Sequence, residues 1–317
     1  MADPLSPQWP ELPYDAWQDT RATLHLWTQV VGKIRLQQTP WLNHSWHVTL
    51  YVTSKGLTTS PIPHGPRSFE IEFDFNQHVL DITVSDGNAR RLPLRPQSVA
   101  DFYAALMAAL RELGVACTIK EAPCEIPGAT PFSQDQTHAA YEAEDARRFW
   151  LALVQIDRVF KQFRTAFLGK CSPVHFFWGS FDLAVTRFSG RRAPRFPGSA
   201  PGLAPEVMQE AYSHEESSAG FWPGGNGIDY PAFYSYAYPA PAGFRDAVVQ
   251  PAAAFFSEKL GEFLLPYDAV RNAADPDAEL LAFLQSTYEA AARAGAWDRA
   301  ALECPRGVPG VPRDTPP

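Results

Sequence analysis

The sequence contains none of the short motifs that identify the common classes of enzyme. It has no G-x-G-x-x-G after a predicted strand, no G-x-x-x-x-G-K-[ST], no H-E-x-x-H and no G-x-S-x-G. These absences exclude a standard dinucleotide site, a P-loop, a zinc-protease centre and a nucleophile elbow. The run GGNG, from Gly224 to Gly227, predicts a turn. No cofactor is therefore indicated by a nucleotide-binding motif, and a divalent metal stays open.

Cysteine, long apolar runs and positive charge are also scarce. The four cysteines show no C-x-x-C spacing, and the first ten residues lack the basic start and apolar run of a signal peptide. We therefore expect a reduced, cytoplasmic protein. No apolar run approaches the ~18 residues that span a bilayer, so we expect no membrane partner. The net charge of -8 argues against a nucleic-acid partner, which would need a basic face.

The sequence contains enough hydrophobic residues to form a large core. Of its 317 residues, 45% are hydrophobic, which suits two ordinary domains or one large one. The 30 prolines concentrate in loops and in the tail PRGVPGVPRDTPP. We therefore expect residues 1–8 and 305–317 to be disordered tails.

Hydrophobic periodicity predicts four long helices and several strands. The helices are predicted over residues 15–37, 98–113, 143–168 and 275–294. Ser98 and Asp275 are the predicted N-caps of the second and fourth helix. A shorter helix is predicted near 204–212. Strands are predicted over 44–53, 68–75, 78–85 and 174–189, and in the segments PAFYSYAYP and GEFLLPYDAV.

The two halves of the chain share one order of elements: helix, strands, helix. VGKIR (31–35) matches VFKQFR (159–164), and LYVTSKG (50–56) matches LAVTRFSG (183–190). These matches predict an internal duplication of an α-β-β-β-α unit. The predicted fold class is α+β, with antiparallel sheet or sheets that carry helices on one face. The predicted halves are residues 9–130 and 131–303, the second with a Pro/Gly-rich insertion at 190–230.

Six segments of the chain resemble one known family. They are LHLWTQVVGKIRL, TPWLNHSWHV, GLTTSPIP, GKCSPVHFFWGSFDLAVTRFSGR, EAYSHEESSAGFWPGG and LLAFLQSTYEAAA. Together they resemble the mostly bacterial domain of unknown function family 5996, over about residues 9–303. The resemblance implies one family unit across the chain and assigns no catalytic role to any residue.

The predicted strand 174–189 combines an apolar face with a polar one. As a regular strand it presents these residues to the core: His175, Phe177, Gly179, Phe181, Leu183 and Val185. Its other face carries Trp178, Ser180 and Asp182, which suits a ligand wall, although a solvated sheet face is the alternative. The predicted core further contains Trp27, Phe69, Ile71, Phe73, Phe163 and Leu284.

Four histidines are candidate metal ligands: His44, His47, His175 and His214. Residues three apart on a strand point to opposite faces, so His44 and His47 share an ion only if His44 lies in the preceding loop. The alternative is that these histidines are structural and form hydrogen bonds with the backbone.

One functional hypothesis is an enzyme with a cleft between the two halves. It performs acid/base or metal-assisted chemistry on a small anionic molecule, and the loop 190–230 closes over it. The catalytic candidates are Asp182, His214, Glu215 and His47. The ligand-binding candidates are Trp178, Ser180, Arg187, Tyr51 and Trp222, with Arg187 neutralising the anionic group.

The alternative hypothesis is a non-catalytic module for small-molecule binding or interaction. It uses the same aromatic wall and needs no reactive group. Clustering of His47, His175, His214 and Glu215 in one pocket would indicate the enzyme, whereas scattering of these residues would indicate the binding module.

Overall fold

The computed structural model describes residues 9–225 and 227–313. The predicted tail residues 1–8 and 314–317 lie outside this part. Residues 305–313 are described: Val308 forms a β-bridge with Val311, and the Gly307 N–H donates to Thr165 Oγ1 over 2.9 Å. Within the described ranges, no helix is both long and apolar enough to cross a membrane.

Seven helices occur in the described ranges. They are α1 (Tyr14–Gln38), α2 (Val99–Glu112), α3 (Ala143–Arg164), α4 (Pro205–Ala211), α5 (Tyr267–Arg271), α6 (Pro276–Ala294) and α7 (Arg299–Leu302). The predicted helices are confirmed, and only α3 ends notably earlier than expected. Ser98 accepts a hydrogen bond from the Asp101 N–H, and Asp275 accepts one from the Ala278 N–H, so both N-caps are confirmed.

The first half forms an antiparallel sheet of six strands. They are β1 (Tyr51–Val52), β2 (Gly56–Thr58), β3 (Ile62–His64), β4 (Arg67–Asp74), β5 (Val79–Val84) and β6 (Ala89–Pro93). Their order is β1-β2-β4-β5-β6, with β3 also paired to β4. The predicted strand 44–53 is wrong over most of its length, because residues 43–45 form a 3₁₀ turn and only Tyr51–Val52 pair in the sheet.

The second half forms another antiparallel sheet of six strands. They are β7 (His175–Phe177), β8 (Asp182–Arg192), β9 (His214–Trp222), β10 (Ala232–Tyr238), β11 (Phe255–Ser257) and β12 (Glu262–Pro266). Their order is β11-β12-β10-β9-β8-β7. The predicted insertion 190–230 thus contains a central strand, β9, and the irregular part before it includes α4.

The predicted strand 174–189 is a hairpin, not one strand. Residues 178–181 form a turn, after which β8 runs back along β7. His175 pairs with Ala184 and Phe177 pairs with Asp182. Because paired residues lie on the same face, His175 and Phe177 leave the predicted core face, and Phe176 takes a core position opposite Leu183. The faces predicted for residues 182–186 are confirmed.

The two sheets meet at their first strands. Leu50 and Phe176 exchange two backbone hydrogen bonds of 2.9 Å, and both sheets extend outward from this junction. In this topology β1 and β7 occupy equivalent positions, each at the edge of its own sheet. The matched segments LYVT and LAVT would instead make β1 equivalent to β8. The α+β class is confirmed, and the internal duplication stays a prediction.

The long helices pack side by side in the order α2, α1, α3, α6 and contact strands of both sheets. Nine of the predicted core residues are buried beneath them: Trp27, Phe69, Ile71, Phe73, Phe163, Phe181, Leu183, Val185 and Leu284. The core is continuous between the halves. The other face of the second sheet, which we call the distal face, has its own small cluster of Ile228, Tyr234 and Leu264.

Candidate functional site

A cavity of about 390 Å³ lies on the distal face. Its floor consists of alternate side chains of three strands: Asp182, Ala184 and Thr186 of β8, Glu216, Ser218 and Trp222 of β9, and Tyr234 and Tyr236 of β10. These residues share one face because Thr186 pairs with Ser218 and Ser218 pairs with Tyr236. The first half and α4 cover this floor with residues from three segments, 36–48, 124–125 and 200–212. The cavity therefore lies between the two halves.

Asp182 is a buried polar group of the cavity floor that accepts two side-chain hydrogen bonds. It is 4% exposed, its Oδ1 accepts a hydrogen bond from Ser180 over 2.5 Å, and its Oδ2 accepts one from the Tyr234 hydroxyl over 2.5 Å. Burial raises the pKa of Asp182 to about 6, although both hydrogen bonds favour the ionised form. The carboxyl group is thus fixed in orientation and titrates close to neutral pH.

Glu125 lies beside Asp182 in the cavity wall. Burial, and next the charge of Asp182, raise the pKa of Glu125 to about 7. No side-chain hydrogen bond to Glu125 is found within residues 9–225 and 227–313. Gly179 allows the approach of Glu125 to the hairpin turn, because a Cβ at Gly179 would collide with the Glu125 carboxylate.

Two further buried carboxyl groups lie on the distal face. Glu216, in the floor, accepts a long hydrogen bond of 3.4 Å from the Tyr236 hydroxyl, and burial raises its pKa to about 8. Glu262 follows on β12, where burial also raises the pKa to about 8. Three carboxyl groups with raised pKa values therefore share the distal face of the second sheet, and Glu125 in the cavity wall is a fourth. Such groups are more frequent at functional sites than elsewhere.

The backbone around the cavity is strained. Positive φ angles occur at His44 (58°), Ser45 (56°) and Glu125 (62°), which line the cavity, and at Phe181 (60°) in the hairpin turn. Non-glycine residues adopt this conformation rarely, and it concentrates at functional sites. Here it occurs at Glu125 and within the hairpin turn that precedes Asp182.

Some of the residues predicted from the sequence line this cavity. They are Trp178, Ser180, Asp182 and Trp222, together with the candidate metal ligand His44. The Trp178 indole N–H donates to the Val48 carbonyl over 2.7 Å, which holds the ring against the first half. The polar residues predicted for the strand 174–189 therefore line the cavity.

The other predicted histidines lie outside the cavity. His47 is 3% exposed and contacts the backbone of Leu42 through Nδ1. His175 lies at the sheet junction, 3.5 Å from the hydroxyl of Tyr51, and burial lowers its pKa to about 3. His214 begins β9, with its ring centroid 5.9 Å from that of His44. Among the described residues, no group of three or more His, Cys, Asp or Glu side chains could hold a metal ion.

Glu215 and Arg187 also point away from the cavity. Glu215 forms an ion pair of 2.6 Å with Arg191. Arg187 is 1% exposed and faces the helices, where its guanidinium lies 3.5 Å from the ring centroid of Phe163 and 4.3 Å from that of Tyr288. Arg187 lies in the middle of β8, on the same face as Leu183 and Val185, so it does not supply the positive charge that was predicted for the ligand site.

The sequence-based reasoning missed Glu125, Glu216, Tyr234 and Tyr236. The alternation in HEESSAGFW places Glu216, Ser218 and Trp222 on one face, and that in FYSYAY does the same for the tyrosines. Those alternations were the available signals. Glu125 lies in an irregular segment that no periodicity marks.

The chain belongs to a family of unknown function, DUF5996, which matches residues 9–304. This confirms the resemblance found in the sequence. Comparison with curated proteins and with solved structures gave no match. The family match covers both halves, so the cavity between them lies within a single family unit.

Proposed function

We propose that the protein binds a small molecule in the cavity of the distal face. The observation that carries this proposal is the cavity itself, about 390 Å³ in volume and lined by aromatic rings with a few convergent polar groups. Ligand sites in proteins commonly have this size and composition. The strained residues at its border support the same conclusion.

Binding is favoured over the histidine-based enzyme that the sequence suggested. None of His47, His175, His214 and Glu215 belongs to the cavity lining, and their scattering is the result that indicates a binding module. Arg187 faces the helices. The cavity therefore lacks the positive charge that was expected to neutralise an anionic ligand.

Acid/base catalysis by Asp182 and Glu125 is a second candidate function. It is favoured by one observation, namely that two carboxyl groups in one cavity have different surroundings. Asp182 accepts two hydrogen bonds and has a pKa of about 6, whereas Glu125 has a pKa of about 7. The two hydrogen bonds favour the ionised form of Asp182, so Asp182 is the stronger candidate for the base and Glu125 for the acid.

The binding proposal is tested with a thermal-shift screen of metabolites of every charge class. Ala200 lies in the cavity lining and its neighbour Ser199 is exposed. We expect Ala200→Trp to abolish the stabilisation by any hit, because the indole fills the cavity, and Ser199→Trp to retain it. Equal stabilisation of both variants would place the ligand elsewhere and contradict the proposal.

Catalysis is tested on the same hits by mass spectrometry, both for conversion and for deuterium uptake in D₂O. We expect Asp182→Asn to lose conversion even at a saturating concentration of the hit, since the amide cannot accept the proton. Unchanged hits after long incubation with the unmodified protein would remove the catalytic candidate and leave the binding function.

A further inference from the structure

The ionisable groups of the cavity lining have predominantly one sign. Glu125, Asp182 and Glu216 contribute carboxyl groups, and no lysine or arginine occurs among the lining residues within the described ranges. Glu216 is 5% exposed, and in the described part of the chain its carboxylate accepts a hydrogen bond at Oε1 alone. Its Oε2 accepts no hydrogen bond from the described residues, so it remains open to a ligand N–H from the cavity.

Aromatic rings of the lining already attract cations. Lys170 Nζ lies 5.2 Å from the ring centroid of Trp46 and 4.9 Å from that of Phe188. Lys33 Nζ lies 5.8 Å from the ring centroid of Trp178. Neither lysine belongs to the lining, so both approach these rings from outside the cavity. The inner side of the cavity combines ring surface with carboxyl groups, which is the combination that binds ammonium groups.

We infer that the ligand of this cavity is an organic cation, a primary amine or guanidine on an aromatic or aliphatic body. The inference rests on the binding function proposed above. The cationic group is held by Glu125, Asp182 and Glu216, and the body lies against the rings of Trp178 and Trp222.

Cation binding in this cavity depends on pH. Burial raises the pKa of Glu125 to about 7 and that of Glu216 to about 8, so the empty cavity holds protons at neutral pH. A cation requires the ionised carboxylates, so binding releases protons and the affinity rises with pH, by up to about tenfold per unit for each proton released. The titratable groups that act on these carboxyls directly are Asp182, Lys170, Tyr212, Tyr236 and Tyr238. Glu262 and Tyr234 act on Asp182, His44 contacts Lys170, and Lys33 lies behind Cys124.

The test uses two sets of probes that have equal shape and different charge. One set is 2-phenylethylamine, 2-phenylethanol and phenylacetate, and the other is tryptamine, indole-3-ethanol and indole-3-acetate. Titration calorimetry at about pH 6, 7 and 8, in two buffers that differ in ionisation enthalpy, gives both affinity and proton release. We expect an amine to bind at least about tenfold more tightly than its alcohol and its acid, with the difference growing as pH rises.

The matched variants are Glu216→Gln and Glu215→Gln, which change neighbouring carboxyls on opposite faces of β9. We expect Glu216→Gln to weaken amine binding by about tenfold without affecting the alcohol, and Glu215→Gln to leave both unchanged. If an alcohol or acid binds as tightly as its amine, and Ala200→Trp abolishes this binding, the inference of a cationic ligand is refuted. The proposed binding function would then stand. Absence of any binder, both here and in the wider screen, would overturn both.

Discussion

Replacing Glu216 by glutamine tests whether the distal face holds protonated carboxyl groups. In the folded protein, burial raises the pKa of the Glu216 carboxyl from 4.5 to about 8. Between these two values, the folded state binds a proton that the unfolded state has released. Stability from this group is therefore complete below about pH 4.5 and is lost as pH rises towards about 8. Glutamine does not titrate, so the stability of the variant should not fall with pH for this reason.

The size of the effect follows from the pKa difference. Each pKa unit corresponds to about 1.4 kcal/mol, so the wild-type protein should lose at most about 4 kcal/mol relative to Glu216→Gln between pH 5 and pH 8. Because Glu216 is 5% exposed, little of this is screened by solvent. The pKa of about 8 already includes the hydrogen bond from Tyr236 and the positive charge of Lys170, both of which lower the Glu216 pKa.

Urea unfolding at about pH 5, 6.5 and 8 measures this difference directly. Glu215→Gln is the control, because the same change then falls on a carboxylate that pairs with Arg191 near the surface. We expect the control to differ from wild type by a similar small amount at every pH. A Glu216→Gln difference that does not grow with pH would refute the idea that this carboxyl is buried and protonated.

Three further predictions concern the core, the hydrogen bond to Asp182 and the duplication. Phe181→Ala should reduce the free energy of unfolding by ~3–5 kcal/mol, since Phe181 is 2% exposed and stacks on Phe149 at 5.2 Å. Phe255→Ala, at a residue 44% exposed, should cost less than about 1 kcal/mol, and a similarly small loss for Phe181 would contradict its core position. Tyr234→Phe removes the donor to Asp182 Oδ2, so the Asp182 pKa should rise in an NMR titration, and an unchanged value would show that the bond is not formed. If the duplication is real, α1 and the strand that ends at Thr53 should superpose on α3 and the strand that carries Thr186. A crystal structure in which the helix and this strand do not superpose would exclude the duplication.

The helices and the core could be predicted because periodicity reports burial directly. The stripe of α1 and the alternation of β4 each leave one side apolar, and both Trp27 and Phe73 are fully buried. The hairpin at 178–181 could not be separated from a strand in this way, since HFFWGSFDLAV consists of β-forming residues on both sides of Gly179. The Gly179-Ser180 pair was the only turn signal, and period-2 counting across a turn reverses the faces beyond it.

The candidate site was predictable to the extent that it lies on one strand. Ser180 and Asp182 were found because strand parity separates them from Leu183 and Val185. Their partners come from elsewhere: Tyr234 reaches Asp182 across β9, and Glu125 arrives from an irregular segment. Such contacts depend on strand order, and the sequence pattern of a single strand does not contain the order of the sheet.

The burial of the carboxyl groups also depends on contacts between distant segments of the chain. By its sequence, the distal face resembles a solvated sheet face, because it carries the acidic residues Asp182, Glu216 and Glu262, whereas Leu183 and Phe263 point to the helices. It is buried because α4 and the segment 36–48 cover β8 and β9, with the Trp41 indole N–H donating to Glu210 over 2.5 Å. A carboxyl group on a solvated strand would keep an ordinary pKa, whereas the same group beneath this cover titrates near neutral pH. The raised pKa values in the cavity therefore depend on α4 and segment 36–48 as much as on the strands. Changes in segment 36–48 or in α4 should alter the protonation of residues on β8 and β9.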